Sequence, residues 1–225
     1  MMTAKDEDAR QPPQPRQSVW HRQVPGQRRH ASAAGAGNLD RERIVTAAVR
    51  LLDSEGDAQF SMRRLAADLK VTPMSVYWHV KGKDDLLEFA LDAVVGRIQL
   101  PGTLAGFGWQ DDLLTLALAW RHTMIARPWA LGCYAKYSGL GPHSIRFSLH
   151  VQDILARSPV PEALQPTALS AVFQFMYGFT SLESTGTAPG SAVGSGTDEP
   201  TAVRDFTRGL TWLASGMSTE TTIRP

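Results

Sequence analysis

The stretch that decides the fold is residues 60–87, which read FSMRRLAADLKVTPMSVYWHVKGKDDLL. A capping residue, Ser61, precedes apolar residues at helical spacing over residues 62–69. Thr72 followed by Pro73 is a second start signal, because a hydroxyl caps a helix and proline suits its first position. Only a tight turn fits between the two helices. The spacing therefore predicts a helix-turn-helix, whose second helix can enter a DNA major groove.

The second helix carries the side chains that we expect to meet DNA. Val76 and Val80, four residues apart, predict a narrow inward face, so several of the remaining side chains point outward. Aromatic rings, hydroxyls, an imidazole and lysines suit base edges and phosphates. The alternative is that Tyr77 and Trp78 pack against a neighbouring helix and that the lysines are ordinary surface charges. The candidate DNA-binding residues here are Thr72, Pro73, Met74, Ser75, Tyr77, Trp78, His79, Lys81 and Lys83.

Residues 40–98 resemble the DNA-binding domain of the tetracycline-repressor (TetR) family. The matching segments are DRERIVTAAVRLLDSEG, SMRRLAADLKV and TPMSVYWHVKGKDDLL, and the Tyr-Trp-His-Val-Lys run is especially similar to the tetracycline repressors themselves. The resemblance implies that Arg63 reaches DNA and that Arg64 is a surface charge. The family usually has glycine in the turn, where this chain has Lys70. Either Lys70 adopts an unusual backbone conformation or the turn is built differently.

Composition and charge narrow the class of protein further. The chain has 225 residues, 43% of them hydrophobic, which is enough for a substantial core. We find neither an apolar run long enough to span a membrane nor a secretion signal. The single cysteine, Cys133, excludes an intrachain disulfide and fits a reducing cytoplasm. Cys133 is either a redox sensor or, as is usual for a lone cysteine, a small packing residue.

Residues 1–38 predict a flexible arm, because they are rich in Pro, Gln, Arg, Ala and Gly and have no helical or strand periodicity. Five arginines and no acid lie between Arg10 and His30. One hypothesis places this arm along the DNA, with arginines in the minor groove. The other treats it as a tail that adds only non-specific attraction. The arm residues proposed to contact DNA are Arg22, Arg28 and Arg29.

The rest of the chain predicts an all-α protein with two helical domains. The DNA-binding domain spans residues 39–99 and ends in a long linker helix. Residues 100–108, LPGTLAGFG, mark the boundary. Residues 109–219 predict the second domain, with a low-complexity, disordered loop at 186–200. In the TetR family this domain senses a ligand and dimerises through its last two helices, and a twofold dimer reads two DNA half-sites.

The second domain is rich in aromatic and methionine side chains, some of which would line an apolar pocket between helices. The alternative is that they form ordinary core and dimer interface. The candidate ligand-binding residues are Trp109, His122, Trp129, Tyr134, Phe147, His150, Phe173, Gln174 and Tyr177. This half of the chain contains no convincing copy of the tetracycline pocket.

Together these patterns predict a cytoplasmic, homodimeric repressor. It binds double-stranded operator DNA and is released by a small apolar or amphipathic effector. The alternative is a DNA-binding protein controlled by a partner or by its abundance. The sequence offers no metal-ligand spacing, phosphate loop or nucleophile–base pair. We therefore expect no catalytic residues, no metal site, no cofactor and no enzyme activity.

Overall fold

The computed structural model describes residues 18–20, 39–100, 108–137, 139–186 and 199–219, and within these ranges every regular element is a helix. The predicted all-α fold is confirmed. Among the described helices, none is both long and apolar enough to cross a membrane. The elements are α1 (Arg41–Gln59), α2 (Met62–Asp68), α3 (Pro73–Tyr77), α4 (Lys83–Val95), α5 (Trp109–Ile125), α6 (Pro128–Tyr137), α7 (Pro142–Ala156), a 3-10 turn (Glu162–Leu164), α8 (Gln165–Ser184) and α9 (Glu199–Thr219).

Side-chain caps begin each of the first three helices. Asp40, Ser61 and Thr72 each accept a hydrogen bond from the backbone N–H three residues later, at 2.7, 3.2 and 3.3 Å. Each such cap contributes about 1 kcal/mol to helix stability. Inside the three-helix unit, Leu65 and Val76 are fully buried. The two start signals in the sequence therefore correspond to real helix starts.

The turn between α2 and α3 is built around Lys70 in a left-handed conformation, with φ of 57°. The Val71 N–H donates to the Ala66 carbonyl at 3.0 Å, and the Lys70 N–H donates to the Ala67 carbonyl at 3.1 Å. This pair of bonds is a Schellman motif, which normally places glycine where Lys70 stands. The first of the two alternatives for Lys70 is correct: the turn keeps its geometry and the lysine bears the strain.

Helix α1 is interrupted at Gly56, which leaves the helical conformation with φ of 75°. One further helical turn follows, to Gln59, before α2 begins. Lys83 stabilises this junction, because its Nζ donates to the carbonyls of Asp57 and Phe60 at 2.9 and 3.0 Å.

The second domain packs α5 among α6, α7, α8 and α9. Trp120 and Met124 of α5 are almost fully buried. Arg121, also buried, forms an ion pair with Glu183 of α8, and its Nε lies 2.9 Å from the carboxylate. A buried arginine requires such a partner, because an unpaired charge there would be strongly destabilising. The ion pair therefore fixes how α8 lies against α5.

The loop before α9 is shorter than predicted. Gly186 forms a turn at the end of α8, and α9 already begins at Glu199, so 199 and 200 are helical and not part of a loop. Residues 187–198, which carry the rest of that prediction, lie outside the described residues.

Carboxylates of the first domain hold the second domain in place. Asp53 of α1 accepts a hydrogen bond from the indole N–H of Trp129, at 2.8 Å. Asp84, in the first turn of α4, accepts one from the Tyr137 hydroxyl, also at 2.8 Å. A third carboxylate, Asp92, lies further along α4 and contacts α7. The apolar core is likewise continuous between the two domains.

One turn of the predicted flexible arm packs against the fold. The Ser18 hydroxyl and the Val19 N–H both donate to the buried Glu88 carboxylate of α4, the latter at 3.2 Å. The Trp20 ring meets Phe89 edge to face, with centroids 4.9 Å apart. These three residues are thus ordered on α4. The other residues of the predicted arm, including its arginines, lie outside the described part of the chain.

We predict that Lys70→Gly stabilises the protein by about 0.5–1 kcal/mol. Left-handed strain costs a non-glycine residue roughly 1–2 kcal/mol, which exceeds the extra entropy that glycine gives the unfolded chain. Urea unfolding would measure the gain. Lys70→Ala is the control, because it removes the charge and keeps the strain. Equal unfolding midpoints for the two variants would contradict the prediction.

Candidate DNA interface and effector pocket

Helix α3 and the turn after it expose large apolar side chains. Trp78 is 82% exposed, Met74 65% and Tyr77 45%, while Val76 and Val80 on the opposite face are buried. Folded proteins rarely expose such a cluster unless it forms an interaction surface. The alternative in which Trp78 packs against a neighbouring helix does not hold.

The polar groups of this surface are partly engaged in building it. Thr72 Oγ1 accepts from the Ser75 N–H and lies 2.8 Å from the Ser75 hydroxyl. Thr72 and Pro73 are exposed, and Ser75 and His79 are half-buried. Each hydroxyl retains hydrogen-bonding capacity beyond the contact it makes. The hydroxyls of Thr72 and Ser75 can therefore each make a further contact at the start of α3.

The two arginines of α2 differ in their partners. Arg64 donates from Nη2 and Nε to the Glu55 carboxylate, at 2.6 and 3.3 Å. Arg63 is exposed and has no ion-pair partner among the described residues. Arg63 is consequently the one with an uncommitted positive charge.

The lysines after α3 also differ. Lys81 is exposed and makes no hydrogen bond or ion pair within the described residues. Lys83 binds two carbonyls at the α1–α2 junction. An ammonium group has three N–H donors, so one remains for a phosphate. A phosphate role for Lys83 is thereby limited to a single bond, and Lys81 is the freer cation.

A cavity of about 200 Å³ lies at the junction of α4, α5, α6, α7 and α8. Tyr134 contributes a phenol whose pKa burial raises to about 12, so the group is neutral at ordinary pH. The Trp120 indole N–H is buried and has no hydrogen-bond partner in the described part of the chain. Among the described residues, no charged side chain lines the cavity. Its lining residues are Val95, Trp120, Tyr134, Gly139, Ser144, Phe147, Ser148 and Phe173.

Three of the nine predicted ligand-binding residues line this cavity, namely Tyr134, Phe147 and Phe173. Tyr177 lies behind them, with its ring stacked on Tyr134 at 5.8 Å.

The other five predicted residues lie elsewhere. His122 and Gln174 are exposed, and His150 is half-buried outside the cavity lining. The helical repeat explains why His122 points away from the cavity. Two residues after Trp120, the helix has turned by about 200°. Trp109 packs in the core, and Trp129 bonds to Asp53 between the domains.

Sequence reasoning missed the remaining lining residues. Trp120 continues the buried series of α5 with Leu116 and Met124, a pattern that indicated only core. Ser144 and Ser148 lie four residues apart, around Phe147, on the cavity side of α7. Serines flanking an inward aromatic at helical spacing were the available signal.

Cys133 behaves as a packing residue. Its side chain is buried, and desolvation raises the pKa of the thiol from 9.0 to about 11. Because the thiolate is the reactive form, this environment disfavours a redox role. Among the described residues, no group of three or more His, Cys, Asp or Glu is arranged to hold a metal ion.

Comparison with protein families identifies the N-terminal domain. Residues 44–90 match the family model described as bacterial regulatory proteins of the tetR family. The chain therefore carries a TetR-family DNA-binding domain. It is 38% identical over 146 residues to an HTH-type transcriptional regulator of Saccharopolyspora erythraea. It is also 38% identical over 122 residues to the transcriptional repressor DrrR1 of Streptomyces coeruleorubidus.

These two alignments cover 65% and 52% of the chain, and they span 61% and 43% of the relatives' own lengths. The family model itself covers only residues 44–90, in the N-terminal half of the chain.

Solved structures superpose on about four fifths of this chain. BioQ of Mycobacterium smegmatis superposes with a TM-score of 0.67 at 27% identity, covering 81% of this chain and 99% of BioQ. BioQ has also been solved with its double-stranded DNA operator, and that complex superposes with a TM-score of 0.66 at 24% identity. ActR of Streptomyces coelicolor, in complex with actinorhodin, superposes at 0.69 and 23% identity, covering 81% of this chain and 96% of ActR.

Proposed function

We propose that this TetR-family protein is a homodimeric transcriptional repressor. It binds a twofold operator in double-stranded DNA through α3 and leaves that operator when a small molecule occupies the cavity. The observation that carries the proposal is the exposed cluster of Met74, Tyr77 and Trp78 on a capped, fixed helix. The repressor DrrR1 and the operator complex of BioQ support it.

The exposed cluster suits direct contact with bases and sugars in the major groove. Apolar side chains contact thymine methyl groups, and the Tyr77 hydroxyl can bond a base edge or a phosphate. Arg63 and Lys81 flank the cluster and supply positive charge for the backbone. Any contribution of Arg22, Arg28 and Arg29 adds to this electrostatic share of binding.

A dimer is proposed because one α3 contacts too few bases for specificity. The last two helices offer an apolar surface for it, with Trp212 of α9 69% exposed and Leu182 of α8 41% exposed. Half-buried Phe175 and Phe179 lie on α8 and contact Phe206 of α9. A second copy of the same surface would bury these groups, as twofold interfaces do.

The effector that fits the cavity is small, uncharged and largely aromatic. The lining is aromatic with two serine hydroxyls and no charge, so an ionic ligand would lose its hydration without compensation. About 200 Å³ is below the roughly 300–1,000 Å³ of typical ligand sites, which favours a small molecule. The actinorhodin complex of ActR supports ligand binding in this fold. Control by a partner or by abundance is the second candidate, favoured by how small the cavity is.

We expect Tyr77→Ala to weaken specific operator binding by about 1–3 kcal/mol, or roughly 5- to 150-fold, because it removes a contact to base edges. The operator would be selected from random duplexes and located by footprinting, and affinity would be measured by fluorescence polarisation. Equal losses on operator and random DNA would contradict base recognition.

Lys81→Ala should weaken binding to all sequences alike and lower the slope of log K against log salt by about 1, because one phosphate contact is lost. Arg146→Ala is the matched control, since Arg146 is an exposed cation on α7 in the second domain. A salt slope changed equally by both substitutions would exclude a specific phosphate contact.

Trp212→Glu should weaken the dimer by about 2 kcal/mol or more, because a central aromatic is replaced by a charge. Sedimentation velocity would show a shift towards monomer, with loss of operator binding. Trp78→Glu is the control and should abolish operator binding while the dimer persists. A dimer unaffected by Trp212→Glu would contradict the proposed interface.

Ser148→Phe should abolish the release of the operator by the effector, because the added ring fills the cavity and excludes the effector. Small neutral aromatic molecules would first be screened for release of the operator duplex. Gln152→Phe, on the exposed face of the same helix, is the control and should respond normally. An unchanged response in Ser148→Phe would place the effector elsewhere.

A further inference from the structure

Helix α7 has no N-terminal cap of its own. Its N-cap residue is Gly141, which makes no side-chain hydrogen bond. The cap comes instead from Asp92 on α4. One oxygen of this carboxylate accepts from the Ser144 N–H and the Ser144 hydroxyl, each at 2.9 Å, and the other accepts from the His143 N–H at 3.3 Å. The linker helix thus satisfies backbone donors that the first turn of α7 would otherwise leave unpaired.

The contact leaves no room for a larger residue. A Cβ atom at Gly141 would lie 2.1 Å from Cγ of Asp92, so only glycine allows the carboxylate to approach. One turn later on α4, a Cβ at Gly96 would lie 2.8 Å from Cγ of His143. The last turns of α4 and the first turn of α7 are therefore pressed together at two points.

Burial makes a partly opened contact unfavourable. Asp92 is only 3% exposed, and within the described part of the chain its hydrogen bonds all come from the first turn of α7. A small separation of the helices would leave a buried carboxylate without donors, which is strongly unfavourable. The favourable arrangements are the closed cap and a wider opening that admits water to the carboxylate.

The cavity lies at the same joint. Val95 of α4 and Ser144 of α7 both line it, as does Gly139 in the turn before α7. Ser144 therefore touches the cavity and the Asp92 carboxylate at once. An occupant that displaces Ser144 acts directly on the cap.

We propose that Asp92 couples the effector cavity to the DNA-binding domain. It caps α7 while α4 is in the operator-binding position, and an occupant of the cavity breaks the cap and releases α4. This inference rests on the proposed function. Coupling between two sites is reciprocal, so operator binding must in turn strengthen the cap. That consequence is testable without knowing the effector.

The experiment is hydrogen–deuterium exchange of the full chain, with and without the selected operator duplex, followed on peptides that contain residues 143–146. In the wild type, operator should slow exchange of the α7 first turn by about fivefold or more, the lower end of typical coupling factors. In Asp92→Asn this operator-dependent difference should disappear while the variant still binds operator. Asp153→Asn, an exposed acid on α7, is the control and should retain it.

Ser144→Ala is the second variant, in case Asp92→Asn does not fold. It removes one donor of the cap and leaves the carboxylate and the α7 backbone in place, so the operator-dependent difference should shrink without vanishing. An operator-bound wild type whose α7 exchange is unchanged would overturn the proposal, as would a full difference in Asp92→Asn. Failure of the proposed function would be distinct, since no duplex would then be selected at all.

Discussion

The structure depends on burying α4 between the two domains. Ten of its thirteen residues are buried, and they include three acids. Helix α1 packs on one side of it, and α6 and α7 pack on others. Each buried acid needs donors: Glu88 receives them from Ser18 and Val19, and Asp92 from the first turn of α7. Because these donors come from other segments, α4 cannot move without changing contacts in both domains.

Helix α4 is stabilised by burial along its length, whereas helix α3 is stabilised mainly by contacts at its ends. At five residues it is far below the roughly 12–15 that an isolated helix needs. The Schellman turn at Lys70, the cap at Thr72 and buried Val76 hold it in place. Its outer face carries the exposed side chains of Met74, Tyr77 and Trp78. Local backbone chemistry is what allows α3 to carry an exposed apolar surface here.

The sequence predicts contacts between residues that are close in the chain better than contacts between distant ones. Caps at Asp40, Ser61 and Thr72 and the strained turn were predictable, because each depends on residues within four positions. The contact of Asp92 with Ser144 was not, because it joins residues 52 apart and replaces a cap that Gly141 lacks. The cavity was only partly predictable for the same reason: aromatic content indicates an apolar interior, whereas the helix facing decides which rings line it.

The arrangement has a consequence for how such a protein acquires a new ligand. The residues proposed to recognise DNA are on α3, far along the chain from the cavity. Those proposed to recognise the ligand and to transmit its binding overlap at Ser144 and Val95. Substitutions at Phe147 or Phe173 can therefore change the shape of the cavity without touching the cap. A substitution at Ser144 changes both at once. Under the proposed function, the residues that select the ligand can vary only if the contact between α4 and α7 is kept.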